Sequence, residues 1–226
     1  VKIATKFIRK FKVEHNVVTT QIEPHDWIAE TCHALIRVNN IVNDLNNDMW
    51  MYIANDIFIL KTIKDEVGSS TMPHKVNPID FENSEGNIGL ANSMLNFFAE
   101  KLPISRLQRD LSDSTTLRNI GVAFGYSVIS YKSTLKGLQK ITPNKNKINE
   151  ELDNNWIVLS EAVQTIMRLE NIENAYEKLK DLTRGKNLNK EQYLEFVENL
   201  DVTQKNKDYL KSLNPRNYIG VAPKLK

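Results

Sequence analysis

The sequence is poor in several features that would define other classes of protein. It has one cysteine, Cys32, among 226 residues, which excludes an internal disulfide framework and indicates a reducing compartment. No apolar run approaches the roughly 18 residues that a membrane span needs. Thirty Lys and Arg residues balance 28 Asp and Glu residues, so net charge gives no support to nucleic-acid binding. We expect a cytoplasmic protein that binds neither a membrane nor a nucleic acid.

Signatures of metal sites and of repeats are also missing. The four histidines, His15, His25, His33 and His74, show neither paired helical spacing nor neighbouring cysteines, so a zinc site has little support. No internal repeat, low-complexity tract or alternation with a period of two residues is present. Because 41% of the residues are hydrophobic, the chain can still bury a core. We expect an all-α fold.

Apolar residues recur with helical spacing in three long segments. The pattern over residues 28–52 predicts one helix of about 30 residues. A second helix is predicted from Asn77, as the N-cap, to about Leu102, and a third from about Thr115 to Lys140. The apolar positions of the three segments are Ile28, Leu35, Val38, Val42, Leu45, Met49 and Tyr52, then Ile88, Ala91, Leu95 and Phe98, then Leu117, Ile120, Phe124, Val128, Tyr131, Leu135 and Leu138. Narrow stripes on long helices are typical of a helical bundle.

The pattern of apolar and charged residues changes near Thr142-Pro143-Asn144. Beyond this point we predict short, charged helices at about 145–153, 156–169, 175–184, 190–199 and 204–212. We therefore predict two domains, residues 1–142 with part of a long-helix bundle and residues 143–226 as a small helical domain. The stripes of the long helices leave surface to bury against other helices, which favours a homo-oligomeric bundle. A monomeric bundle is the alternative.

The loop Gly68–Pro78 concentrates groups that are suited to holding a small carboxylate. Its sequence is Gly-Ser-Ser-Thr-Met-Pro-His-Lys-Val-Asn-Pro. Gly68 permits unusual backbone angles, and Lys75 supplies positive charge, to which the helix after the loop adds the positive end of its dipole. Such surroundings can activate Ser69 or Ser70. The alternative is an ordinary Ser/Gly loop in which Lys75 is solvated and Asn77 is only a cap.

Residues Gly68 to Pro78 resemble the signature loop of the fumarase/aspartase superfamily, whose members eliminate fumarate from succinyl-bearing substrates. Within that superfamily, the segments 19–26, 79–87 and 109–119 resemble the adenylosuccinate lyase family of the bacterial type. Shorter matches at 176–180, 182–185 and 217–220 extend the resemblance over essentially the whole chain. It implies a long-helix bundle followed by a small C-terminal helical domain, without a metal or an organic cofactor.

The resemblance also implies roles for individual residues. Ser69 is the general base that removes a proton beside a succinyl carboxylate, and Lys75 and Asn77 stabilise the resulting aci-carboxylate. Substrate binding is implied for Gln21, Ser70, Val76, Asn83, Arg109, Ser114, Thr115, Thr116, Leu117 and Arg118. For Asn83, an ordinary polar position on a helix face is the alternative.

Three of these residues, Arg109, Ser114 and Arg118, match the family's positions for a nucleotide phosphate. Ser114 and Arg118 also flank the predicted start of the third helix, and free amides at a helix start favour an anion. For the two arginines, the alternative is surface ion pairs with Asp110 and Asp113.

The implied activity is β-elimination of fumarate from adenylosuccinate, which gives AMP, and from the succinyl-carboxamide imidazole ribotide, which gives the carboxamide. Family enzymes are homotetramers with shared active sites. The family's histidine general acid lies upstream of the Thr19-Thr20-Gln21 segment, and no histidine here matches it. We therefore expect the chain to be a carboxy-terminal portion that is inactive by itself. Another superfamily lyase, such as argininosuccinate lyase or aspartase, and a non-catalytic structural relative are the alternatives.

Overall fold

A computed structural model describes residues 1–61, 77–174, 177, 179–180 and 188–225. Four residues with predicted roles, Ser69, Ser70, Lys75 and Val76, lie outside the described residues, as does most of the predicted helix at 175–184. The chain divides into two compact units, Val1–Thr142 and Pro143–Lys226.

Helices dominate the first unit and confirm the all-α prediction. They are α1 (Lys2–Arg9), α2 (Asp26–Ala54), α3 (Ile79–Lys101), α4 (Ser112–Leu117) and α5 (Ile120–Lys140). The bounds of α2 and α3 lie within two residues of the prediction. Two short strands, β1 (Phe58–Leu60) and β2 (Ile141–Pro143), pair into a sheet. They were not predicted, because three residues are too few to show a period of two.

The start of α3 corrects the predicted cap. Pro78, rather than Asn77, occupies the N-cap position, and its backbone (φ −78°, ψ 53°) is not helical. The Asn77 carbonyl instead accepts a hydrogen bond from the Ile79 N–H at 2.9 Å. Asn77 therefore lies outside the helix.

The predicted start of the third helix is wrong, because the helix is interrupted between α4 and α5. The Asn119 side chain donates from Nδ2 to the Thr115 carbonyl at 3.1 Å. Its own backbone N–H bonds the Thr116 carbonyl at 3.0 Å. A side-chain amide that takes the carbonyl four residues back competes with the helical backbone bond. Asn119 then serves as the N-cap residue of α5.

The three long helices pack together, with α3 against both α2 and α5. One end of this bundle is apolar, and its buried residues are Ile28, Cys32, Ala91, Leu95, Phe98, Ala99, Leu102 and Ala123. All four predicted apolar positions of α3 are buried, so the predicted face of that helix is confirmed.

The buried line of α2 differs from its predicted stripe. Cys32, Asn39 and Asn46, seven residues apart, are its most deeply buried positions, whereas Val38 is exposed. Asn39 donates from Nδ2 to Asn92 Oδ1 at 2.8 Å and to Ser127 Oγ at 3.1 Å. A second polar layer joins the same three helices through Asn46. Polar residues at such positions fix which side chains face one another.

The residues of the second polar layer form a closed set of hydrogen bonds. Asn46 donates from Nδ2 to Ser84 Oγ at 2.8 Å, and Thr134 Oγ1 donates to Asn46 Oδ1 at 2.8 Å. Ser84 and Thr134 also bond each other at 2.8 Å. Every polar atom of the layer thus has a partner, which offsets the cost of its burial.

On α5, small residues face the bundle and large apolar residues face outward. The buried side of the helix includes Ser127, Ser130, Ser133 and Gly137. Three predicted stripe residues, Phe124, Val128 and Leu135, are 37%, 49% and 59% exposed, respectively. These three positions of the predicted stripe are therefore largely uncovered by the described residues of this chain, whereas Leu117 and Ile120 pack against the apolar end of the bundle.

The second unit consists of short helices around its own core. They are α6 (Lys145–Asp153), a 3-10 helix (Trp156–Leu159), α7 (Ser160–Leu169), α8 (Lys190–Glu198), α9 (Gln204–Ser212) and a second 3-10 helix (Ala222–Lys224). The buried Tyr193 packs against Trp156 with its ring tilted by 45° and donates its hydroxyl to the Leu210 carbonyl at 2.8 Å. In the described parts of both units, no helix has the length and apolar character to cross a bilayer.

Candidate active site

A backbone hydrogen bond brings two of the predicted substrate-binding segments together. The Gln21 N–H donates to the Gln108 carbonyl at 3.3 Å, immediately before Arg109. The intervening helices α2 and α3 return the chain to this point at one end of the bundle. The structure therefore places the segment of Gln21 beside the segment of Arg109, which the sequence connects only through the resemblance.

The turn before α4 is fixed by Asp110. Its carboxylate accepts from Arg106 Nε at 2.7 Å and from the Ser112 N–H at 2.9 Å, and its own N–H bonds Ser105 Oγ at 2.8 Å. These donors, the Arg106 guanidinium first, lower the pKa of Asp110 far below its usual value. Arg106, rather than Arg109, is the partner of this carboxylate.

Arg109 and Arg118 are both exposed on this surface. Within the described part of the chain, neither forms the ion pair with Asp110 or Asp113 that was the alternative to phosphate binding. Two guanidinium groups near one segment are suited to binding an anion, because each offers several N–H donors in a fixed plane.

The helix-start argument is wrong for Ser114, which lies inside the six-residue helix α4. Arg118, the C-cap of α4, directly precedes Asn119, the N-cap of α5, and so adjoins the start of the long helix. An anion at Ser114 would therefore be held without the dipole of the long helix.

The remaining predicted contacts of α4 differ in exposure. Thr115 is exposed, whereas Thr116 is buried and donates from Oγ1 to the Ser112 carbonyl at 3.1 Å. Leu117 packs against the apolar end of the bundle. A cavity of about 390 Å³ lies between α3 and α4, and its lining comprises Ser93, Met94, Phe97, Phe98, Thr115, Thr116 and Asn119. This mainly apolar lining suits a ring or an aliphatic group better than a phosphate.

Asn83, one turn into α3, is tied to the bundle. It donates from Nδ2 to Ser133 Oγ at 3.0 Å and accepts at Oδ1 from Asn87 Nδ2 at 3.1 Å. Ser133 Oγ in turn donates to the Asp80 carbonyl at 2.7 Å. The amide of Asn83 is thus oriented by α5, which serves either predicted role, that of a substrate contact or of a polar face residue.

Asp80 and Lys140 form a buried ion pair that sequence reasoning missed. The Lys140 ammonium donates to Asp80 Oδ2, and Lys136 Nζ lies 3.1 Å from Asp80 Oδ1. The pair joins the first turn of α3, three residues beyond Asn77, to the last turn of α5. No local pattern could have found it, because the two residues are 60 positions apart and each alone is an ordinary charged helix residue.

A cluster of His25, Glu23 and Asp113 next to the Gln21 segment was also missed. His25 contacts Glu23 and faces Asp113, which α4 carries. The sequence signal was only a histidine in the Glu23-Pro24-His25-Asp26 turn. Across the residues that the structure describes, no group of three or more His, Cys, Asp and Glu side chains is arranged to hold a metal ion.

Two family models match this chain. The family model described as "Adenylosuccinate lyase C-terminal" matches residues 105–219, and a model described as "Lyase" matches residues 2–91. The chain belongs to the adenylosuccinate lyase family. The first model contains the Arg109–Arg118 segment, and the second contains the Gln21 segment and the signature loop.

Relatives within this family are similar along nearly the whole chain. Adenylosuccinate lyase of Escherichia coli K12 is 52% identical over 98% of the chain. The enzymes of Buchnera aphidicola subsp. Schizaphis graminum and Vibrio cholerae are 54% and 53% identical, each over 99% of the chain. These alignments cover 48–49% of the relatives. The chain therefore spans about half the length of the curated relatives it matches.

A solved structure shows the same fold at much lower sequence similarity. Class II fumarase from Schistosoma mansoni superposes with a TM-score of 0.56 at 16% identity, over 95% of this chain and 44% of the fumarase chain. This likeness supports the predicted fumarase/aspartase type of helical fold.

Proposed function

We propose that the complete protein carrying this chain eliminates fumarate from adenylosuccinate, giving AMP, and from the succinyl-carboxamide imidazole ribotide, giving the carboxamide. The observation that carries the proposal is the identity of 52% over 98% of the chain with an enzyme named adenylosuccinate lyase. The substrates belong to the proposal because the chain spans only about half of such relatives. The reaction is an acid–base elimination.

In the proposed reaction, Ser69 takes a proton from the succinyl carbon next to a carboxylate. The electron pair that is left forms the carbon–carbon double bond of fumarate as the carbon–nitrogen bond breaks, and a general acid protonates the leaving nitrogen. Lys75 and Asn77 stabilise the aci-carboxylate that forms between these steps. The acid comes from outside this chain, and the chain alone is inactive.

The nucleotide end of the substrate lies, in this proposal, where the Gln21 segment meets the Arg109 segment. The bond between Gln21 N–H and the Gln108 carbonyl supports this placement. Arg109, Ser114 and Arg118 hold the 5′-phosphate. Ser70, Val76, Asn83, Thr115, Thr116 and Leu117 complete the proposed substrate contacts.

We propose further that the protein is a cytoplasmic homotetramer with shared active sites. The outward apolar stripe of α5, with Leu135 59% exposed, supports assembly, because large contiguous apolar surfaces mark interfaces. No metal or organic cofactor is needed for the proposed acid–base chemistry, which uses side chains only.

The experiment is to purify the complete protein and to measure fumarate release from adenylosuccinate and from succinyladenosine, which lacks the phosphate. We expect kcat/KM to be far higher for adenylosuccinate. Arg118→Gln should lower kcat/KM for adenylosuccinate at least about tenfold, and barely change it for succinyladenosine. Arg168→Gln, at an exposed position of α7, is the matched control. Fumarate release from argininosuccinate, with none from adenylosuccinate, would contradict the proposal.

A further inference from the structure

His25 lies between two parts of the candidate site and touches both. On one side, its Nδ1 contacts Glu23 Oε1, and its backbone N–H donates to Glu23 Oε2 at 3.0 Å. One carboxylate thus binds the ring and the main chain of the same residue. Glu23 and His25 follow Gln21 within four positions, so this contact fixes the end of the Gln21 segment.

The backbone conformation of His25 is held by contacts with the residues around it. His25 adopts φ 58° and ψ 14°, the left-handed region, at the N-cap position of α2. Residues other than glycine adopt this conformation uncommonly, although His, Asn and Asp do so more often than the rest, and it is stable where surrounding contacts hold it. The double contact with Glu23 is such a constraint, and it directs the ring away from solvent.

On its other side, the ring faces α4. Nε2 lies 3.9 Å from Asp113 Oδ2, too far for a hydrogen bond and within ion-pair distance. Nε2 is buried and makes no hydrogen bond among the described residues. The other oxygen of Asp113, Oδ1, accepts from Ser114 Oγ at 3.3 Å.

The two segments enclose a common cavity of about 140 Å³. Its lining comes from two stretches of the chain. The first supplies Thr20, Ile22, Glu23, Pro24 and His25, and the second supplies Leu102, Pro103, Ile104, Ser105, Leu107, Asp110 and Asp113. The backbone bond from Gln21 to Gln108 lies at the same junction. His25 supplies the side-chain link across it.

We propose that His25 is a positioning residue that sets the separation of Gln21 from Ser114. Its ring, held by Glu23, packs beside Asp113 and so sets the position of α4, whose Ser114 lies next to the substrate phosphate in the proposed site. This inference rests on the proposed function. His25 touches neither the substrate nor the reacting atoms, so its effect is on binding of the nucleotide end and not on the elimination step.

The test uses His25→Asn in the complete protein. Asn tolerates the left-handed backbone, and its amide reaches Glu23 as Nδ1 does, but it has no atom in place of Nε2. We expect KM for adenylosuccinate to rise about tenfold and AMP binding to weaken by a similar factor, with kcat within about twofold of wild type. His33→Asn, the same change at an exposed position of α2, should leave all three unchanged.

A double-mutant cycle makes the link to α4 specific. Asp113→Asn should raise KM by a similar factor, and the double variant should be no worse than the poorer single variant, because both changes break one link. Multiplied effects in the double variant, or a lower melting temperature of His25→Asn with unchanged KM and AMP affinity, would overturn the inference. If His25→Asn fails to fold, Glu23→Gln tests the same contact through Glu23, the more exposed of the two residues.

The cycle also separates this inference from the proposed function. A wild-type protein that releases no fumarate contradicts the proposed function, and AMP affinities of the wild type and His25→Asn then still test the placement of Ser114. A wild-type enzyme with full activity, together with an unaltered His25→Asn variant, contradicts only the inference.

Discussion

The ammonium group of Lys140 pairs with the carboxylate of Asp80 inside the helical bundle, where the Lys140 side chain is only 6% exposed. Asp80→Asn would remove a carboxylate from contact with that buried ammonium. We expect the variant to lose about 3–5 kcal/mol of stability, the usual effect of breaking a buried pair from one side. Chemical unfolding of the complete protein, followed by circular dichroism, measures the loss.

Lys136 provides the control for this pair. It contacts the same carboxylate but is 57% exposed, and exposed ion pairs contribute about 0–1 kcal/mol. Lys136→Gln should therefore be nearly neutral. Equal losses for Asp80→Asn and Lys136→Gln would mean that burial does not decide the strength of the contact.

Gly137 has no room for a side chain. A Cβ atom at this position would lie 2.8 Å from Cζ of Phe81, a ring that is fully buried. Gly137→Ala should destabilise the protein by about 1–3 kcal/mol, as overpacking does. Gly125→Ala, on the same helix with nothing within 4 Å of its Cβ, should be neutral or stabilising because Ala favours helix. Similar melting temperatures for the two variants would contradict this account.

The hydrogen bonds around Asn46 predict that removing its side chain lowers the stability of the protein. Asn46→Ala removes the acceptor of Thr134 and the donor to Ser84, and leaves buried polar atoms with fewer partners. We expect about 1–3 kcal/mol of destabilisation. Asn47→Ala, one residue later and exposed, removes only a bond to the Asn43 carbonyl on its own helix. Its unfolding midpoint should stay near that of the wild type.

Glu170 predicts a pH dependence in the second unit. Its carboxylate accepts from the Thr203 hydroxyl at 2.5 Å and from the Thr203 N–H at 2.8 Å at the start of α9. Bonds from the Thr203 hydroxyl, the Thr203 N–H and Asn206 outweigh desolvation and lower the pKa of Glu170 below its usual 4.5. A lowered folded-state pKa contributes stability above about pH 4.5, and this contribution is lost as the pH falls through the folded-state value.

Glu170→Gln should therefore melt at a lower temperature than the wild type at pH 7, and the difference should shrink as the pH falls below about 4. Melting curves across this pH range measure it. Glu173→Gln, an exposed position three residues later, should show no such convergence. A difference for Glu170→Gln that is the same at every pH would assign its effect to something other than ionisation.

Ser69→Ala tests the proposed base directly. Loss of a general base should lower kcat for fumarate release by at least about 100-fold while AMP affinity stays near the wild-type value. Ser70→Ala, its neighbour, should act mainly on KM. Turnover retained by Ser69→Ala and lost in Ser70→Ala would exchange the two roles.

Local sequence determined α2 and α3 well, because periodic apolar residues act within a few positions of one another. It placed the start of α5 wrongly, because the Asn119 side chain bonds the Thr115 carbonyl where α4 ends, and apolar spacing does not show such a bond. The buried positions of Asn39 and Asn46 could not be predicted, because a polar residue is buried only where other helices supply its partners.

The candidate site divides in the same way. Gln21 and Arg109 were found through motifs, and their adjacency needed the fold. The proximity of His25 to Asp113 has no local signal, because it depends on two helices meeting at one end of the bundle. Residues proposed to contact the substrate stand in recognisable segments, whereas the contacts between those segments are visible only in three dimensions.

Lys140 meets the chain on both borders of residues 62–76. Its carbonyl accepts from the Lys61 N–H at 2.8 Å, and its ammonium holds Asp80 shortly after Asn77. Both contacts are made by one residue at the end of α5, so the bundle itself helps to offset the entropy of bringing the two borders together.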